Sequence, residues 1–522
     1  MTAIVNTACA DWLRERVRDG DIRAWARGLL VELCEIDTSL TEDLDRLRIA
    51  EQQSFEVIVA ACNPHLPAGA SIRRLPVDPS IAQDRSYTIP YYAGDLAMDP
   101  VAVYANRANL LIDFVPGRDE AGWLVNGHID TVPPHIPPTT STSHVSGRGS
   151  ADDKGGVVTA LLVARLVSEW TRQTGAESPS LRLLVSIDEE MGGNGSLAAV
   201  DKLPLEAGHT IVIEPSDLQP YSANRGATWF AADLKAPSQT LPGVFREVVL
   251  ALTATAHHLR LQSHHPLFSA ADVSFCLGIL DEFGVHPSSA CPRIDLVWPL
   301  PDRAFDPREL AASLAQRLAG DLSLMHSAND PEVAVRDGRL EVTVHALSGH
   351  MGSHDRDTDA IAKAAAVVDV AERHGLGLPT WKQSAMHLEG GQGFLPDRAL
   401  DEIQSLISTS FRSGLNRAQQ RYGVEVTGSI SFDKLHNDAF ASSDDAVGGP
   451  LLAAAIGRLQ DSASPQLRGW KASCDARLFA SRCDDVVTFG PGRLEVAHGP
   501  NETVALDHIA SAAAAITLAV CS

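Results

Sequence analysis

The sequence predicts an α/β protein, with a mixed and mainly parallel sheet flanked by helices. Short apolar stretches of strand length alternate with longer stretches of helical periodicity, which is typical of such a sheet. The chain has 522 residues, too many for one ordinary hydrophobic core, so we expect at least two domains. With 44% hydrophobic and 21% charged residues, it has the composition of a folded protein.

The predicted elements begin with helices near the N-terminus. Residues 22–62 carry apolar side chains at helical spacing, with a stop and restart near 35–39, which predicts two helices. A third helix is predicted over 156–170, after a pair of glycines. Compact apolar runs predict strands at 109–114, 123–125, 181–187 and 211–213.

The pattern changes near residue 225, where a segment rich in Pro, Gly and Ser follows. We therefore expect one domain formed by residues 1–224 and 446–522, interrupted by a second domain over residues 225–445. Strand and helix patterns recur inside this insertion, with strands predicted at 293–298 and 340–344 and helices at 307–319 and 359–374.

Charge and cysteine content exclude several classes of protein. With 43 Lys and Arg against 66 Asp and Glu, the formal charge is −23, which argues against nucleic-acid and anionic-membrane partners, because both are bound through basic residues. Eight scattered cysteines without Cys-x-x-Cys spacing argue against a zinc ribbon or a redox motif. Residues 1–14 do not resemble a signal peptide, and no run of about 18 apolar residues occurs, so we expect a cytoplasmic protein with reduced thiols.

Five clusters of acidic and histidine residues stand out along the chain. They are His128 and Asp130 in WLVNGHIDTVPP, Asp152 in GRGSADDKGG, the pair Glu189 and Glu190, then Glu214, and finally His498 in VAHGPNE. Imidazole nitrogen and carboxylate oxygen are the ligands that hydrolytic divalent metals use. The sequence therefore predicts a site for two metal ions together with a general base.

Several of these residues stand where a predicted strand ends. In α/β sheets the ligand site lies beyond the carboxyl ends of the strands. We therefore expect four of them to converge on one edge of the sheet, namely His128, Glu189, Glu190 and Glu214.

The order and wording of the clusters resemble the metallopeptidase and deacylase family that contains carboxypeptidase G, acetylornithine deacetylase, succinyl-diaminopimelate desuccinylase and the long-lid bacterial dipeptidases. Four segments carry the resemblance, namely HIDTVP, DDKGG, DEEMGG and AHGPNE. It extends from about Leu30 to the C-terminus and is least clear in the middle of the insertion. The fold that it implies is a zinc-peptidase-like catalytic domain with an enlarged, inserted α+β lid.

The resemblance also implies a ligand set for two divalent ions, with Zn²⁺ as the expected metal and Co²⁺ as the alternative. The implied ligands are His128, Asp152 and Glu214 for one ion, and Asp152, Glu190 and His498 for the other. Asp152 is the expected bridge, and Asp153 is not, because the family places the bridging acid two residues before a lysine, here Lys154. Asp217 competes with the nearby glutamate ligand, whereas His508 is expected on a helix surface.

Two more residues of these clusters are assigned roles beside the ligands. Asp130 lies on the same side of an extended chain as His128, where it can accept the second imidazole N–H and fix the tautomer; a turn aspartate before Pro133 is the alternative. Glu189 and Glu190 are adjacent, so their side chains diverge and cannot share one role. We expect Glu190 to bind metal and Glu189 to act as the general base, and the alternative is a pair of solvated loop charges.

Further residues are expected to contact the substrate. The segment LSGHMGSH resembles the lid segment of the family whose histidine stabilises the tetrahedral oxyanion, and we assign His350 to that role. His354 and His345 are rivals, and a surface histidine is the alternative for each. Arg225 and Arg477 are candidates for binding a substrate carboxylate in bidentate geometry, although a structural salt bridge would use arginine equally well.

Together these assignments predict an amidohydrolase that cleaves a small N-acyl amino acid with metal-activated water. A long-lid dipeptidase is the alternative, because the motif wording favours the deacylase whereas the length of the insertion favours the dipeptidase. Long lids contain two related halves that mimic a dimer contact, so a monomer is favoured over a homodimer, although no repeat in this sequence proves a duplication. The same motifs would also fit a non-catalytic binding paralogue or a centre with a single metal ion, and the acyl and side-chain specificity does not follow from them.

Overall fold

The computed structural model describes residues 5–117, 122–206, 208–284, 287, 289–299, 331–346, 359–432 and 436–522. The helices in this part of the chain are α1 (Thr7–Arg16), α2 (Gly20–Glu35), α3 (Leu44–Cys62), α4 (Pro100–Tyr104), α5 (Lys154–Thr174), α6 (Asn194–Val200), α7 (Leu241–Gln262), α8 (Ala360–Arg373), α9 (Leu400–Tyr422), α10 (Gly448–Gln460), α11 (Ala476–Phe479) and α12 (Leu506–Val520). The strands are β1 (Ser71–Pro76), β2 (Ala108–Asp113), β3 (Trp123–His128), β4 (Thr139–Thr140), β5 (His144–Ser146), β6 (Leu181–Ser186), β7 (His209–Val212), β8 (Tyr221–Asn224), β9 (Gly226–Lys235), β10 (Phe275–Leu280), β11 (Phe283–Gly284), β12 (Arg293–Pro299), β13 (Glu332–Arg336), β14 (Arg339–His345), β15 (Ala385–Phe394), β16 (Thr427–Ser431), β17 (His436–Asn437), β18 (Phe440–Ala441), β19 (Arg468–Trp470), β20 (Val486–Thr488) and β21 (Thr503–Ala505). The chain forms two compact units, Met1–Asn224 with Phe440–Ser522 and Arg225–Ala439.

The first unit is built around a nine-stranded mixed sheet. Its strand order is β1-β2-β6-β3-β7-β20-β8-β18, and β19 pairs with β8. β3 runs parallel to both β6 and β7, and β20 runs parallel to β7, whereas β1 and β2 are antiparallel to their neighbours. Every residue of β3 and β6 is buried, as in sheets that helices cover on both faces. The predicted fold class is confirmed.

The two faces of the sheet belong to two different hydrophobic cores, and successive residues of a strand alternate between them. Leu183 and Val185 of β6 belong to a large core that also contains the buried apolar residues of α5. Leu184 lies between them in sequence and belongs to a smaller core with Leu478 and Phe479 of α11. Because side chains alternate across a strand, both faces of the sheet are apolar, and the polar residues of the motifs lie at the strand ends.

The second unit contains two antiparallel sheets. One has the strand order β11-β10-β15-β9-β16, with β17 also paired to β9, and the other has the order β12-β14-β13. Helix α7 packs against α8 and α9, and α8 also packs against β12. Phe245 of α7 and Trp298 of β12 lie in one shared core.

The predicted elements can be compared with the structure one by one. The two N-terminal helices correspond to α2 and α3, and the third corresponds to α5, which begins at Lys154. The four strands predicted in the first unit correspond to β2, β3, β6 and β7, and those predicted in the insertion correspond to β12 and β14. The helix predicted over 359–374 is α8, while the one predicted over 307–319 lies outside the described residues.

Two negative findings concern the described part of the chain. All eight cysteines lie within it, and none is in a disulfide. Among the helices given above, none is both long enough and apolar enough to cross a membrane.

Candidate metal centre

Three neighbouring strands of the first sheet end at the same edge. His128 is the last residue of β3, Glu189 and Glu190 follow the end of β6, and Glu214 lies just beyond β7. The strands are parallel and adjacent in the order β6-β3-β7. The carboxyl ends of the strands therefore bring these four side chains to one place, as strand-end geometry predicts.

Asp152 reaches this edge from the loop before α5. Lys154, the first residue of α5, is buried, and its ammonium donates to the backbone carbonyls of Leu33 at 3.0 Å and Ile36 at 2.7 Å. These carbonyls lie at the C-terminal end of α2, where the last carbonyls lack helical partners and a cation is favourable. The contact fixes the start of α5, and with it the loop that carries Asp152.

The side chains at the edge form two groups, each able to hold a metal ion. The groups are His128 with Glu189 and Glu214, and Asp152 with Glu190 and His498. Within each group the ligand atoms all lie within 4.8 Å of one another. All five ligands expected from the sequence are present in these groups, and Glu189 is the sixth member. Distance alone does not separate a ligand from a base, so the role of Glu189 as the base stays a prediction.

Asp152 lies between the two groups. Its Oδ1 is 3.2 Å from His128 Nε2, and its Oδ2 is 3.1 Å from His498 Nε2. Glu190 Oε2 lies 3.0 Å from the same nitrogen of His498. The neighbouring Asp153 instead accepts the backbone N–H of His128 at 3.4 Å and belongs to neither group. One carboxylate thus faces a histidine of each group with a different oxygen, which is the arrangement expected of a ligand shared by two ions.

The two groups contain more carboxylates than histidines, and these carboxylates are largely buried. Burial raises the pKa of Glu189, Glu190 and Glu214 above the ordinary value, and the carboxylate of Glu189 raises the pKa of Glu214 further. Among the described residues, no hydrogen-bond partner reaches the buried Oε1 atoms of Glu190 and Glu214. Buried carboxylates without partners are costly unless a cation compensates them. The donor set therefore fits divalent metal ions.

The pKa values of the two histidines are raised as well, because carboxylates surround them. The nearby Glu190 carboxylate raises the pKa of His498 to about 11. Burial alone would lower the pKa of His128, but its interactions with Asp130 and Asp152 outweigh burial and hold that pKa well above the ordinary value. Burial also opposes ionisation of Asp152, yet the two histidines keep its pKa below the usual range. The carboxylates around both imidazoles therefore favour positive charge at this edge of the sheet.

Asp130 contacts His128 differently from the sequence prediction. The acceptor closest to His128 Nδ1 is the backbone carbonyl of Asp130 at 3.0 Å, whereas its carboxylate Oδ1 lies 3.5 Å away. The two carboxylate oxygens instead accept backbone N–H groups from Glu189 and Glu190. The reason is that the loop after β6 passes over Asp130 and offers it two donors. The carbonyl of Asp130 is thus nearer to the imidazole than its carboxylate, and its role in orienting the ring stays a prediction.

A buried ion pair that the sequence prediction missed holds the turn before Glu189. Asp188 has a left-handed backbone with φ of 60°. Its carboxylate accepts hydrogen bonds from Arg107 Nη2 at 2.6 Å and from the Tyr104 hydroxyl at 3.0 Å. Arg107 also pairs with Glu51, and all of these side chains are buried. No local signal marks this cluster, because its members come from distant parts of the chain.

The two arginines suggested for substrate binding have structural partners. Arg225, in the second unit, is buried and donates to the Ser274 hydroxyl and to the backbone carbonyl of Asp272. Arg477 is also buried, and its Nη2 donates to the carbonyl of Gly192 at 2.6 Å. These contacts favour the structural alternative for both residues.

Among the described residues, His345, His508 and Asp217 belong to neither group. His350 and His354 fall outside the described residues. His345 is the last residue of β14 in the second unit. His508 Nδ1, on α12, is 3.8 Å from Asp217 Oδ1, and neither residue is a member of the groups.

Histidine and carboxylate groups at the carboxyl edge of a parallel sheet define a class of metal-dependent hydrolases. Residues 124–522 match the sequence profile of "Peptidase family M20/M25/M40". The chain therefore belongs to this peptidase family and is one of its hydrolases. This confirms the family resemblance carried by the four sequence motifs.

Individual relatives cover different shares of the chain. An acetylornithine deacetylase of Vibrio cholerae is 28% identical over 276 residues, which is 48% of this chain and 67% of the relative. A probable carboxypeptidase of Aspergillus flavus is 38% identical over 140 residues, or 24% of this chain and 31% of the relative. The crystal structure of human carnosine dipeptidase 1 has a TM-score of 0.53 at 14% identity and covers 98% of both chains. The dipeptidase Dug1p of Saccharomyces cerevisiae has the same score, identity and coverage, and at this identity both structures show a shared fold.

Proposed function

We propose that this protein is a dinuclear metal-dependent amidohydrolase that removes the acyl group from a small N-acyl amino acid. The observation that carries the proposal is the position of Asp152, whose two oxygens face His128 and His498, one from each group. A carboxylate placed in this way suits two ions about 3.5 to 4 Å apart. Zn²⁺ is the proposed metal, since it favours nitrogen and oxygen ligands, and Co²⁺ is the alternative.

Each ion has three protein ligands in this proposal, which leaves coordination positions for water and substrate. The proposed ligands are His128, Asp152 and Glu214 for one ion, and Asp152, Glu190 and His498 for the other. When bound, the two cations supply an activated water molecule and polarise the substrate carbonyl.

Glu189 is the proposed general base. Its Oε2 lies 3.9 Å from His128 Nε2, so the carboxylate is beside the proposed ligands. Glu189 takes a proton from the attacking water and delivers it to the leaving nitrogen. His350, from the inserted segment, is the proposed hydrogen-bond donor to the tetrahedral oxyanion.

Two observations bear on the choice between deacylase and dipeptidase. The deacylase is favoured by the Vibrio cholerae acetylornithine deacetylase, which aligns with 48% of the chain. A dipeptidase is the second candidate, and the size of the unit Arg225–Ala439 favours it, because that length resembles the long lids of dipeptidases. A cytoplasmic monomer acting on a small molecule belongs to either version of the proposal.

A substrate panel tests the proposal directly. The protein would be stripped of metal with a chelator, reconstituted with Zn²⁺ or Co²⁺, and assayed with acetylated amino acids and with unblocked dipeptides of the same residues. Turnover of the acetylated set supports the deacylase, and turnover of the dipeptides alone supports the second candidate. Bound metal without hydrolysis of either set would contradict both and would favour a binding paralogue. Full activity with a single ion per chain would contradict the dinuclear site.

A further inference from the structure

Two residues of the sequence motifs have no role in the proposed chemistry, yet they connect the loops that carry two of the ligands. Arg148 Nη1 donates to Glu502 Oε2 at 2.6 Å, and the two side chains are 2% and 0% exposed. Arg148 lies in the loop of Asp152, and Glu502 lies in the loop of His498. We call the Arg148–Glu502 ion pair the loop clasp.

The loop clasp contacts the backbone on both sides. Glu502 Oε1 accepts the N–H groups of Ala151 at 3.0 Å and Asp152 at 3.1 Å. Arg148 Nη2 donates to the backbone carbonyl of His498 at 3.1 Å. A continuous series of hydrogen bonds therefore runs from the amide of Asp152 through Glu502 and Arg148 to the carbonyl of His498. Charged groups make the stronger hydrogen bonds in proteins, so this connection is well suited to fix the spacing of the two ligands.

His498 needs such support more than the other members of its group. Its backbone is left-handed, with φ of 62°, a conformation that residues other than glycine rarely adopt. Its side chain is 50% exposed, whereas those of Asp152 and Glu190 are 8% and 6% exposed. Packing therefore holds His498 only in part, so contacts to its backbone contribute, with Asp152 and Glu190, to the position of the imidazole.

The members of the other group have no hydrogen bond to the loop clasp. Asp130 contacts His128 and the amides of Glu189 and Glu190. Among the hydrogen bonds of the described residues, none joins Arg148 or Glu502 to His128, Glu189 or Glu214. Of the six group members, the loop clasp therefore contacts Asp152 and His498, which belong to one group, whereas Asp130 contacts members of both groups.

We propose that Arg148 and Glu502 are positioning residues that set the cation affinity of the group Asp152, Glu190 and His498 separately from that of the other group. This inference rests on the dinuclear function proposed above. Residues that support metal ligands typically change metal affinity by about 10- to 100-fold when they are altered. Because the loop clasp contacts members of one group, we expect this effect on one of the two ions.

The variant Glu502→Gln isolates the connection to His498. Its amide oxygen can still accept the N–H groups of Ala151 and Asp152, but its NH₂ group would face the donors of Arg148. The experiment is a calorimetric titration of the metal-free protein with Zn²⁺ in the presence of a competing chelator. We expect one of the two binding steps to weaken by about 10- to 100-fold and the other to change by less than about twofold. His498→Ala identifies the affected step, and Glu495→Gln, an exposed glutamate of the same segment, should alter neither.

Two further variants keep the test decisive if Glu502→Gln folds poorly. Arg148→Met combined with Glu502→Gln removes both charges at once, so no buried charge is left without a partner, and it should weaken the same step. Arg148→Lys retains the positive charge, so it should weaken the same binding step less than the double variant does. Equal weakening of both steps in a folded variant would show a general structural role and overturn the proposal, as would unchanged affinities. Uptake of fewer than two ions by the wild-type protein would instead contradict the dinuclear function, on which this inference depends.

Discussion

The carboxylate of Asp130 accepts the backbone N–H of Glu190 at 3.0 Å. Its other oxygen accepts the N–H of Glu189 at 3.1 Å, and its backbone carbonyl faces the imidazole of His128. One residue thus links the end of β3 to the loop after β6. The relative position of the two strand ends depends on this link as well as on the ladder of hydrogen bonds in the sheet.

An Asp130→Asn substitution should lower both metal content and turnover. The new NH₂ group would face one of two backbone donors, so the amide of Glu189 or Glu190 would lose its acceptor. Replacing a residue that supports metal ligands typically lowers metal affinity or activity by about 10- to 100-fold. Metal content and kcat would be measured beside those of Asp217→Asn, which changes an exposed carboxylate. Wild-type values for both quantities would count against this role of Asp130.

A Glu189→Gln substitution should retain the bound metal and lose turnover. Glutamine has nearly the same shape as glutamate but cannot accept the proton, so kcat should fall by about 10² to 10⁴-fold. Elemental analysis and steady-state kinetics check the two halves of this expectation, with the exposed Glu206→Gln as a control. Unchanged turnover of the metal-loaded variant would end the assignment as base. Loss of metal would show that Glu189 is a ligand.

A His498→Ala substitution should reduce the bound metal from two ions to one per chain. The group Asp152, Glu190 and His498 would lose its only nitrogen ligand, while the ligands proposed for the other ion remain. Metal content after dialysis and the rate of hydrolysis are the measurements. His508→Ala is the matched control, because His508 lies on α12 and outside both groups. Retention of two tightly bound ions in His498→Ala would exclude His498 as a ligand.

A pH-dependent contribution to stability is expected from Asp485, which lies away from the metal centre. Its Oδ2 accepts the N–H groups of Val447 at 2.8 Å and Gly448 at 2.6 Å, at the N-terminus of α10, and lies 2.8 Å from His209 Nδ1. Burial opposes ionisation, but His209 and the two amides outweigh it and hold the pKa of Asp485 below the ordinary value. A lowered pKa means that this stabilisation is present above about pH 4 and is lost as the pH falls through the pKa of the folded state.

Asp485→Asn should therefore lower the free energy of unfolding by about 1 to 3 kcal/mol at pH 7. The difference from wild type should shrink as the pH falls below about 4, because protons then bind the unfolded chain more readily than the folded one. Urea unfolding at several pH values checks this, with the exposed Asp484→Asn as the control. A difference that stays constant down to pH 3 would contradict the expected linkage.

Local rules were sufficient to predict the parts of the site that depend on single elements. His128 and Glu214 lie at strand ends because apolar runs stop there, and the parallel order of the strands brings those ends together. The choice of Asp152 over Asp153 came instead from the family resemblance, which places the bridging acid two residues before a lysine, here Lys154. The fold class followed from the alternation of strand and helix patterns.

Contacts between distant loops could not be predicted in this way. The carboxylate of Asp130 was expected on His128, but its partners depend on the path of the loop after β6. The pairs Arg107–Asp188 and Arg148–Glu502 join residues separated by 81 and 354 positions, and no periodicity or turn signal marks such a pair. The insertion was expected to end at residue 445, whereas the second compact unit ends at Ala439.

The ammonium of Lys154 has a practical consequence for work with this hydrolase. The family match starts at residue 124, but the acceptors of that ammonium, Leu33 and Ile36, precede it by some ninety residues, and Thr38 also donates to the carbonyl of Ile129 at 2.5 Å. An expression fragment trimmed to the matched segment would leave the buried ammonium of Lys154, next to the loop of Asp152, without these acceptors. A fragment that keeps these contacts must therefore include the C-terminal end of α2 and Thr38.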